Sequence, residues 1–461
     1  METVLLPDPA PRERPYRVPT RLGKSYLIRT FGCQMNEHDS ERVAGLLSAD
    51  GMLPTQDPET ADVIFINTCT IRENADNRLY GNLGQMKAVK DVNPEVLLVV
   101  GGCAAQKDRD YVRERAPWVD VVMGTHNLDR VVDLLDHAEA WGPVTEVLDE
   151  LQAMPSSLPA KRELEHSAWV TIQVGCNNTC TFCIVPAVRG PEISRRPGDI
   201  LREVRALAAD GVVEVTLLGQ NVNTFGRDLA LDGKRSPLFA DLLRQVGNVE
   251  GIRRVRFMSP HPNDFRADVA AAMAETEAVC EQLHFPLQSG SDAVLARMHR
   301  GYTAERFLRK LELARETIPE LSVSTDVIVG FPGETDADFE ATMEVIETAR
   351  FDQAFMFIFS ARPGTSAAGM HEDFVDPAVI QKRFDRLVVV QNRISGERNA
   401  EAVGKTMEVL SEGPSRKDAG VATTRSRGGK VVHIDGLIPA GSFLDVEIVG
   451  SAQHHLVGSR I

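Results

Sequence analysis

The sequence predicts an α/β protein with an N-terminal open parallel sheet, a central incomplete barrel of six β/α units and a small C-terminal all-β barrel. Short apolar runs alternate with amphipathic stretches along residues 25–398, as parallel α/β layers require. Residues 399–461 instead carry short β-rich stretches separated by turn residues. A chain of 461 residues also exceeds what one hydrophobic core usually organises, which favours several domains.

The N-terminal sheet is predicted over residues 24–141. Its strands are predicted at residues 26–30, 63–67, 96–100 and 119–123, each followed by helical periodicity. Residues 1–23 contain five prolines among mixed charges and no continuous apolar stretch, so they predict a disordered tail rather than a signal peptide. Residues 142–166, rich in Pro, Ser and charge, predict a linker.

The central barrel is predicted over residues 167–398. Its six strands are predicted at residues 169–174, 213–218, 253–258, 282–285, 322–329 and 354–359, and each but the last precedes a predicted helix. After a helix over residues 376–399, strands are predicted at residues 405–410, 421–424, 431–434 and 443–449. Their close spacing predicts a small barrel, a shape that often binds RNA.

The amino-acid composition limits the classes of protein to which this chain can belong. With 43% apolar and 25% charged residues the chain is typical of globular proteins, and it contains no apolar run long enough to cross a membrane. We therefore expect a cytoplasmic protein, in which seven cysteines bind metal or take part in catalysis rather than form disulfides. A net charge of −15 weighs against wholesale nucleic-acid binding, so any RNA site must be a local patch.

Three cysteines follow the first barrel strand with the spacing C-x-x-x-C-x-x-C: Cys176, Cys180 and Cys183. A structural zinc site or an electron-transfer cluster would use four ligands, whereas three thiolates leave one iron of a 4Fe-4S cluster open. An open iron can bind S-adenosylmethionine, whose reductive cleavage gives a 5′-deoxyadenosyl radical. The alternative is a zinc knuckle, or a structural cluster with a distant fourth ligand.

Three further cysteines, Cys33, Cys69 and Cys103, each lie just past the end of a predicted N-terminal strand. Because loops converge at the carboxyl edge of a parallel sheet, these residues are predicted to meet and bind a second cluster. Three separate core cysteines are the alternative. Cys280 has no partner at ligand spacing and is predicted to be a small buried hydrophobic residue.

The motifs around these cysteines resemble the radical-SAM methylthiotransferase family, and the match covers nearly the whole chain. The segments that carry the resemblance are residues 31–36 (FGCQMN), 67–73 (NTCTIRE), 219–222 (GQNV) and 259–262 (SPHP). They are most similar to the tRNA-modifying branch. The resemblance implies an N-terminal cluster domain, a radical-SAM core and a C-terminal TRAM-like domain that binds RNA.

The resemblance also implies the reaction: methylthiolation of carbon 2 of N(6)-isopentenyl(dimethylallyl)adenosine at tRNA position 37. Two 4Fe-4S clusters and two molecules of S-adenosylmethionine per turnover would be used, one molecule supplying a methyl group at the Cys33/Cys69/Cys103 cluster and the other the radical. The implied partners are tRNA, an electron donor such as flavodoxin or ferredoxin, and a sulfur donor. We expect a monomer that does not associate with a membrane.

Rival substrates are threonylcarbamoyladenosine of tRNA and an aspartate of a ribosomal protein, which other branches of the family modify. A rival of another class is a non-catalytic iron-sulfur protein that binds RNA. Two sites with three ligands each disfavour that rival, because an open iron suits a reaction better than a structural role.

Five other residues are predicted to contact S-adenosylmethionine. Phe182 precedes the last cysteine of the C-x-x-x-C-x-x-C run, and Gly330 and Glu334 lie in a segment that resembles the family's adenine-supporting segment. Gln220 and Gln288 follow predicted strands, where side chains face the barrel mouth. The alternative for the two glutamines is capping of the next helix.

Basic residues predict where RNA binds. Residues 184–260 hold twelve Lys and Arg against nine Asp and Glu. The notable ones are Arg189, Arg195, Arg196, Arg253, Arg254 and Arg256. In the C-terminal domain Arg425, Arg427 and Lys430 cluster in one turn, and we predict that they contact RNA phosphates. A solvated basic surface is the alternative for each group.

Overall fold

The computed structural model describes residues 18–70, 73–150, 158–229 and 236–461, without the side chains of residues 73–77. Residues 1–17 of the predicted tail, residues 151–157 of the predicted linker and Ile71 and Arg72 of the second motif lie outside the described residues. None of the helices that the described residues form is long and apolar enough to cross a membrane.

The N-terminal part is a parallel sheet of six strands in the order β2-β1-β3-β4-β5-β6. The strands are β1 (Ser25–Phe31), β2 (Leu53–Pro54), β3 (Val63–Thr68), β4 (Leu97–Gly101), β5 (Val121–Met123) and β6 (Val144–Glu146). The helices are α1 (Gln34–Ala49), α2 (Glu73–Val92), α3 (Cys103–Asp108), α4 (Tyr111–Arg115) and α5 (Val131–Trp141). The predicted open parallel sheet is confirmed, with two short strands more than expected.

The sequence did not predict β2 and β6, because these strands have only two and three residues and contain no apolar run. β6 lies inside the segment 142–166 that was predicted as a linker, yet it pairs with β5 through Val121 and Val144. The central strands β3 and β4 are buried along their whole length, because helices cover both faces of the sheet. With every strand parallel, all carboxyl ends lie on one edge.

The central part is the predicted incomplete barrel. Its parallel strands are β7 (Ser167–Thr171), β10 (Glu214–Leu218), β11 (Arg254–Phe257), β12 (Gln282–His284), β13 (Ser322–Val329) and β14 (Gln353–Ile358). They form two three-stranded sheets, β11-β10-β7 and β12-β13-β14. Two backbone hydrogen bonds join the halves, from Val255 N to Ala278 O (2.7 Å) and from Cys280 N to Val255 O (3.0 Å). Among the described residues no ladder joins β14 to β7, so the barrel is open there.

A short antiparallel ribbon and eight helices surround these strands in the described part of the chain. The ribbon is β8 (Gln173–Val174) with β9 (Ile193–Ser194). The helices are α6 (Val185–Arg189), α7 (Pro197–Ala209), α8 (Phe239–Gly247), α9 (Ala267–Glu275), α10 (Asp292–Arg297), α11 (Ala304–Thr317), α12 (Asp336–Ala349) and α13 (Pro377–Ala400). The sequence predicted no helix after the last barrel unit other than the one over residues 376–399, which corresponds to α13.

Side chains alternate along the barrel strands. Val215, Leu217 and Val323 point outward and belong to the main hydrophobic core beneath the helices. Residues at the intervening positions, such as Arg256 and Asp326, are polar and point into the barrel. The barrel therefore encloses a polar interior whose carboxyl mouth carries the loops after each strand.

The C-terminal part is a closed five-stranded barrel in the order β15-β16-β17-β19-β18. The strands are β15 (Thr406–Pro414), β16 (Val421–Ser426), β17 (Val431–Asp435), β18 (Phe443–Ser451) and β19 (Leu456–Arg460). The predicted small all-β barrel is confirmed, with β19 as an additional strand. This strand closes the barrel between β17 and β18 and so removes two open edges.

The turn between β16 and β17 packs against the amino end of the β/α barrel. Arg256 of β11 donates to the carbonyl oxygens of Ser426 (2.9 Å) and Arg427 (2.8 Å). Arg254 donates to the carbonyl oxygen of Arg425 (2.8 Å). The C-terminal barrel thus covers the amino mouth of the β/α barrel and leaves the carboxyl mouth uncovered.

Candidate active site

The structure brings Cys33, Cys69 and Cys103 together at the carboxyl edge of the N-terminal sheet; we call them the first cysteine set. Cys33 directly precedes α1, and Cys103 is the first residue of α3. The Cys33 and Cys69 side chains are hydrogen-bonded to each other. Cys103 is close enough to Cys33 for their charges to interact. That these residues hold a cluster stays a prediction.

Two buried asparagines fix the loops of the first cysteine set. The Asn36 amide donates to Asn67 Oδ1 (2.9 Å), and the Asn67 amide donates to the Asn36 carbonyl oxygen (2.8 Å). Gly102 lies against this pair with a φ of +88°, and a Cβ atom there would come within 2.1 Å of Asn67 Oδ1. The sequence motifs include both asparagines, but their spacing gave no sign that they bond to each other.

The surroundings of the first set affect its thiols differently. A hydrogen bond from Cys69 lowers the pKa of the Cys33 thiol to about 6 in spite of burial, helped by the positive charge of Arg189. Burial raises the pKa of the Cys103 thiol. Only the thiolate binds iron; burial opposes the ionisation of Cys103, and the neighbouring Arg189 favours it.

The second cysteine set, Cys176, Cys180 and Cys183, lies in the loop between β8 and α6, at the carboxyl mouth of the barrel. The Cys183 amide donates to the Cys180 carbonyl oxygen (3.0 Å), which folds the loop into a turn. The negative charges of Cys176 and Cys180 both act on Cys183, which places the three sulfurs near one another. Burial raises the pKa of Cys183 to about 12 and also raises that of Cys176.

Gly175 and Gln220 position the start of this loop. Gly175 has a φ of +84°, and a Cβ atom there would lie 2.0 Å from the Pro191 carbonyl oxygen. The Gly175 amide donates to Gln220 Oε1. Gln220, predicted to contact S-adenosylmethionine, therefore has a hydrogen bond to the cysteine loop itself; its contact with the cofactor stays a prediction.

The other predicted cofactor contacts lie around the same mouth. Phe182 packs against the small apolar cluster that contains Phe331, and Gln288 is buried with a φ of +68°. Glu334 accepts hydrogen bonds from the Gly330 amide (2.8 Å) and from a guanidinium nitrogen of Arg383 (3.0 Å). In this structure Glu334 thus stabilises the turn after β13, and a contact with S-adenosylmethionine stays a prediction for all of these residues.

A single short helix, α6, connects the two cysteine sets. Ile184 and Val188 at this helix form one apolar cluster with Cys103 of the first set. Arg189, the last residue of α6, donates to Asp39 Oδ2 (2.7 Å) and hydrogen-bonds to the Cys103 side chain. The short helix that follows the second set therefore packs directly on Cys103 of the first set.

A second buried arginine contacts the second cysteine set. Arg300 donates to the sulfur of Cys180 (3.4 Å), and its other nitrogens donate to the Tyr302 hydroxyl (3.1 Å) and the Pro286 carbonyl oxygen (3.4 Å). Nothing in the sequence around Arg300 points to a cysteine more than a hundred positions away, so this residue could not be predicted. Arg189 was predicted to contact RNA, although its position six residues after Cys183 also indicates a place near the cysteines.

The structure corrects the RNA interpretation of the arginines in residues 184–260. Four of the six are buried and cannot meet a phosphate on the surface: Arg189, Arg195, Arg254 and Arg256. Arg253 is half-exposed and pairs with Glu408 (2.6 Å). The sequence alone does not show which carboxylates from distant parts of the chain pair with these arginines.

The three cations of the C-terminal turn also have partners within the chain. Arg425 pairs with Glu412 (2.6 Å). Arg427 pairs with Glu281 (2.7 Å), and Lys430 pairs with Asp352 (2.8 Å). The contacts of Arg427 and Lys430 attach the turn to the β/α barrel, whereas the Arg425–Glu412 pair lies within the C-terminal barrel. The RNA contacts of Arg425, Arg427 and Lys430 stay a prediction.

The donor chemistry of the two sets fits iron-sulfur clusters. Within the described ranges no three His, Cys, Asp or Glu side chains are gathered as tightly as a single metal ion requires. A 4Fe-4S cluster places several atoms between its cysteine ligands and so tolerates wider spacing. Three soft thiol ligands in each set, with no carboxylate among them, match the preference of iron-sulfur clusters.

Comparison with known families agrees with the division of the chain. Residues 25–124 match the family model described as uncharacterized protein family UPF0004, and residues 170–346 match the radical SAM superfamily. A solved structure, the radical S-adenosylmethionine methyltransferase TsrM from Kitasatospora setae, resembles the chain with a TM-score of 0.53 at 14% identity, covering 85% of this chain and 79% of that one. At that identity the likeness concerns the fold alone.

Curated relatives are much more similar. A protein of Parafrankia sp. (strain EAN1pec) is 53% identical over 94% of this chain and 89% of its own length, and one of Corynebacterium jeikeium is 53% identical over 94% and 86%. Both are named tRNA-2-methylthio-N(6)-dimethylallyladenosine synthase, as is a Thermobifida fusca relative, 53% identical over 94% and 88%. This chain therefore belongs to the radical-SAM methylthiotransferases, in the family of the tRNA-2-methylthio-N(6)-dimethylallyladenosine synthases.

Proposed function

We propose that this enzyme transfers a methylthio group to carbon 2 of N(6)-dimethylallyladenosine at position 37 of tRNA. The observation that carries the proposal is the packing of α6, the helix that follows the second cysteine set, on Cys103 of the first set. A reaction that joins a radical to a sulfur-transfer step needs two reactive centres close together, and this arrangement supplies two places for them.

The first cysteine set would hold one 4Fe-4S cluster and the second set another, with an open iron for S-adenosylmethionine. When bound, these groups supply one-electron chemistry and the methyl and sulfur atoms, at two molecules of S-adenosylmethionine per turnover. A one-electron donor such as flavodoxin or ferredoxin and a sulfur donor complete the set of partners. We propose that the enzyme acts as a monomer in the cytoplasm.

Residues of the chain have the task of positioning. Gln220 and Gly175 hold the start of the second cysteine set, while Asn36 and Asn67 hold two loops of the first. The Glu334 carboxylate fixes the Gly330 turn at the barrel mouth, where the backbone can approach a ligand closely. The target base must leave its stack in the anticodon loop to reach this mouth.

The domain assignment follows the same logic and is part of the proposal. Residues 24–141 form the cluster domain, 167–398 the radical-SAM core and 399–461 a TRAM-like domain that binds RNA. The strand β6, inside the proposed linker 142–166, belongs structurally to the first sheet. We propose that the remaining linker residues connect the sheet to the barrel.

The test compares nucleosides of tRNA from a strain that lacks the gene with those from the same strain carrying the gene or a variant. Mass spectrometry should show loss of the 2-methylthio form and accumulation of N(6)-dimethylallyladenosine. Complementation with the wild-type gene should restore the product, and the variant with alanine at the second cysteine set should not. Loss of a methylthio form of threonylcarbamoyladenosine instead, or unchanged tRNA, would contradict the proposal.

A further inference from the structure

Each cysteine set has one buried arginine against one of its sulfurs, and the two arginines differ in their partners. Arg189 and Arg300 keep 5% and 6% of their surface exposed. Arg189 hydrogen-bonds to Cys103 of the first set. Arg300 donates to Cys180 of the second set (3.4 Å).

A carboxylate neutralises Arg189. Its guanidinium pairs with Asp39 at 2.7 Å, and the Asp39 carboxylate is itself almost fully buried. At this separation the carboxylate offsets part of the positive charge, so that Cys103 faces an ion pair rather than a free cation.

Among the residues that the structure describes, no carboxylate forms an ion pair with Arg300. Within the described residues its hydrogen bonds go to one sulfur, one hydroxyl and one carbonyl oxygen, belonging to Cys180, Tyr302 and Pro286. The Tyr302 hydroxyl is neutral and itself donates to backbone carbonyl oxygens. The positive charge of Arg300 therefore acts on the second cysteine set without a directly paired carboxylate, and the Asp326 carboxylate interacts with Tyr302 rather than pairing with Arg300.

Reduction of an iron-sulfur cluster adds one negative charge. A nearby uncompensated cation stabilises the reduced form, and hydrogen bonds to the cluster sulfurs act in the same direction. Burial strengthens both effects because water does not screen them. The two sets should therefore differ in how readily a bound cluster accepts an electron.

Resting on the two clusters of the proposed function, we propose that Arg300 is a positioning residue that directs the reducing electron to the cluster at the second cysteine set. The Asp39–Arg189 ion pair leaves the cluster at the first set harder to reduce. Because of this asymmetry, a one-electron donor reduces the second-set cluster, which cleaves S-adenosylmethionine, in preference to the first-set cluster, which transfers sulfur.

The experiment is a redox titration of the anaerobically reconstituted full-length chain, followed by electron paramagnetic resonance. Each cluster is observed alone by changing the other cysteine set to alanine. Arg300→Gln should lower the ratio of reduced to oxidised second-set cluster at a fixed potential by about tenfold or more, and Arg300→Lys should restore most of it. Neither change should alter the first-set cluster.

Asp39→Asn provides the converse test, since it removes the charge that neutralises Arg189 while keeping the shape of the side chain. It should make the first-set cluster easier to reduce, by about tenfold in the same ratio. Matched controls are Arg21→Gln and Arg254→Gln, which remove buried arginines at the amino ends of the two sheets, away from both cysteine sets. Both controls should leave both ratios unchanged.

Ratios within twofold of the unmodified protein in Arg300→Gln and in Asp39→Asn would overturn the inference. If Arg300→Gln does not fold, the inference is tested with Arg300→Lys and Asp39→Asn. An unchanged ratio of reduced to oxidised first-set cluster in Asp39→Asn then overturns the inference. Absence of either cluster from the wild-type chain would instead contradict the proposed function, and this inference with it. The two failures are thus distinguishable before any variant is made.

Discussion

Changing Arg427 to Ala should weaken the attachment of the turn between β16 and β17 to the β/α barrel. As a cation of an exposed-looking turn, Arg427 is predicted to contact RNA, but in the structure it attaches that turn to the β/α barrel. Its guanidinium binds both carboxylate oxygens of Glu281 (2.8 and 2.7 Å) and the carbonyl oxygens of Glu277 (2.8 Å) and Val279 (2.9 Å). Changing Arg427 to Ala removes all of these contacts together.

The expected cost follows from burial. Breaking a fully buried ion pair costs about 3–5 kcal/mol, whereas an exposed pair contributes about 0.2–1 kcal/mol. Arg427 and Glu281 keep 26% and 29% of their side-chain surface exposed, so their pair lies between these limits. We expect Arg427→Ala to destabilise the docking of the turn by about 2 kcal/mol.

Native-state hydrogen exchange is the suitable assay, because a chain of several domains need not unfold in one step. Amides of the turn between β16 and β17 should exchange about 30-fold faster in Arg427→Ala, with no tRNA present. A double-mutant cycle with Glu281→Ala should give a coupling energy of about 1–2 kcal/mol. The salt dependence of tRNA binding is measured on the same variants.

The double variant Arg416→Ala/Lys417→Ala is the matched control. These cations are exposed in the neighbouring turn of the same barrel. Their loss should leave exchange in the β16–β17 turn unchanged. If Arg427→Ala changes that exchange less than twofold but reduces the salt slope of tRNA binding by about one unit, the docking argument is refuted and the RNA prediction holds.

Four further predictions concern the site and its support. Changing the second cysteine set to alanine should remove about half of the roughly eight irons per reconstituted chain and all cleavage of S-adenosylmethionine, measured by iron analysis and by chromatography of 5′-deoxyadenosine; full iron content would contradict the assignment. Changing the first set should leave 5′-deoxyadenosine formation intact and abolish methylthio transfer, whereas equal loss of both activities would indicate a merely structural role. Gly175→Ala should lower iron binding by the second set, because the left-handed backbone and the Pro191 carbonyl oxygen exclude a Cβ atom there, and an unchanged iron content would refute this. Burial opposes the ionisation of Asp352, but the positive charges of Lys430 and Arg398 outweigh burial and lower the pKa of Asp352. The contribution of Asp352 to stability is therefore present above its ordinary pKa of 3.8 and is lost as the pH falls below that value. Asp352→Asn should flatten the acid side of the profile of thermal stability against pH.

The sequence predicted the architecture and the grouping of the cysteines because both follow from local rules. Apolar runs followed by helical periodicity predict parallel units, and parallel strands bring their carboxyl ends to one edge. Cys33, Cys69 and Cys103 therefore could be expected to meet although they are far apart in the chain. Short strands such as β6 lacked the apolar run on which this argument depends.

Charged residues could not be assigned in the same way. The role of a cation depends on which carboxylate or sulfur the fold places beside it, and local sequence carries no such information. Arg427 pairs with Glu281 of the β/α barrel. Arg300 contacts the sulfur of Cys180, and no sequence motif connects these two residues. Basic clusters in the sequence therefore gave candidates for RNA binding that the structure places in ion pairs.

The position of the two cysteine sets has a consequence for how the substrate arrives. The turn at residues 426–430 covers the amino mouth of the β/α barrel, and Arg254 and Arg256 fix it there. The sets are joined by the five residues of α6, whose Val188 packs on Cys103, so their separation does not depend on the linker residues 151–157. An adenine that reaches the second cysteine set must then approach it from the carboxyl side of the barrel, where α6 also packs on Cys103 of the first set. A reaction that first makes a radical on the base and then adds sulfur to it can proceed there without the base being moved between domains.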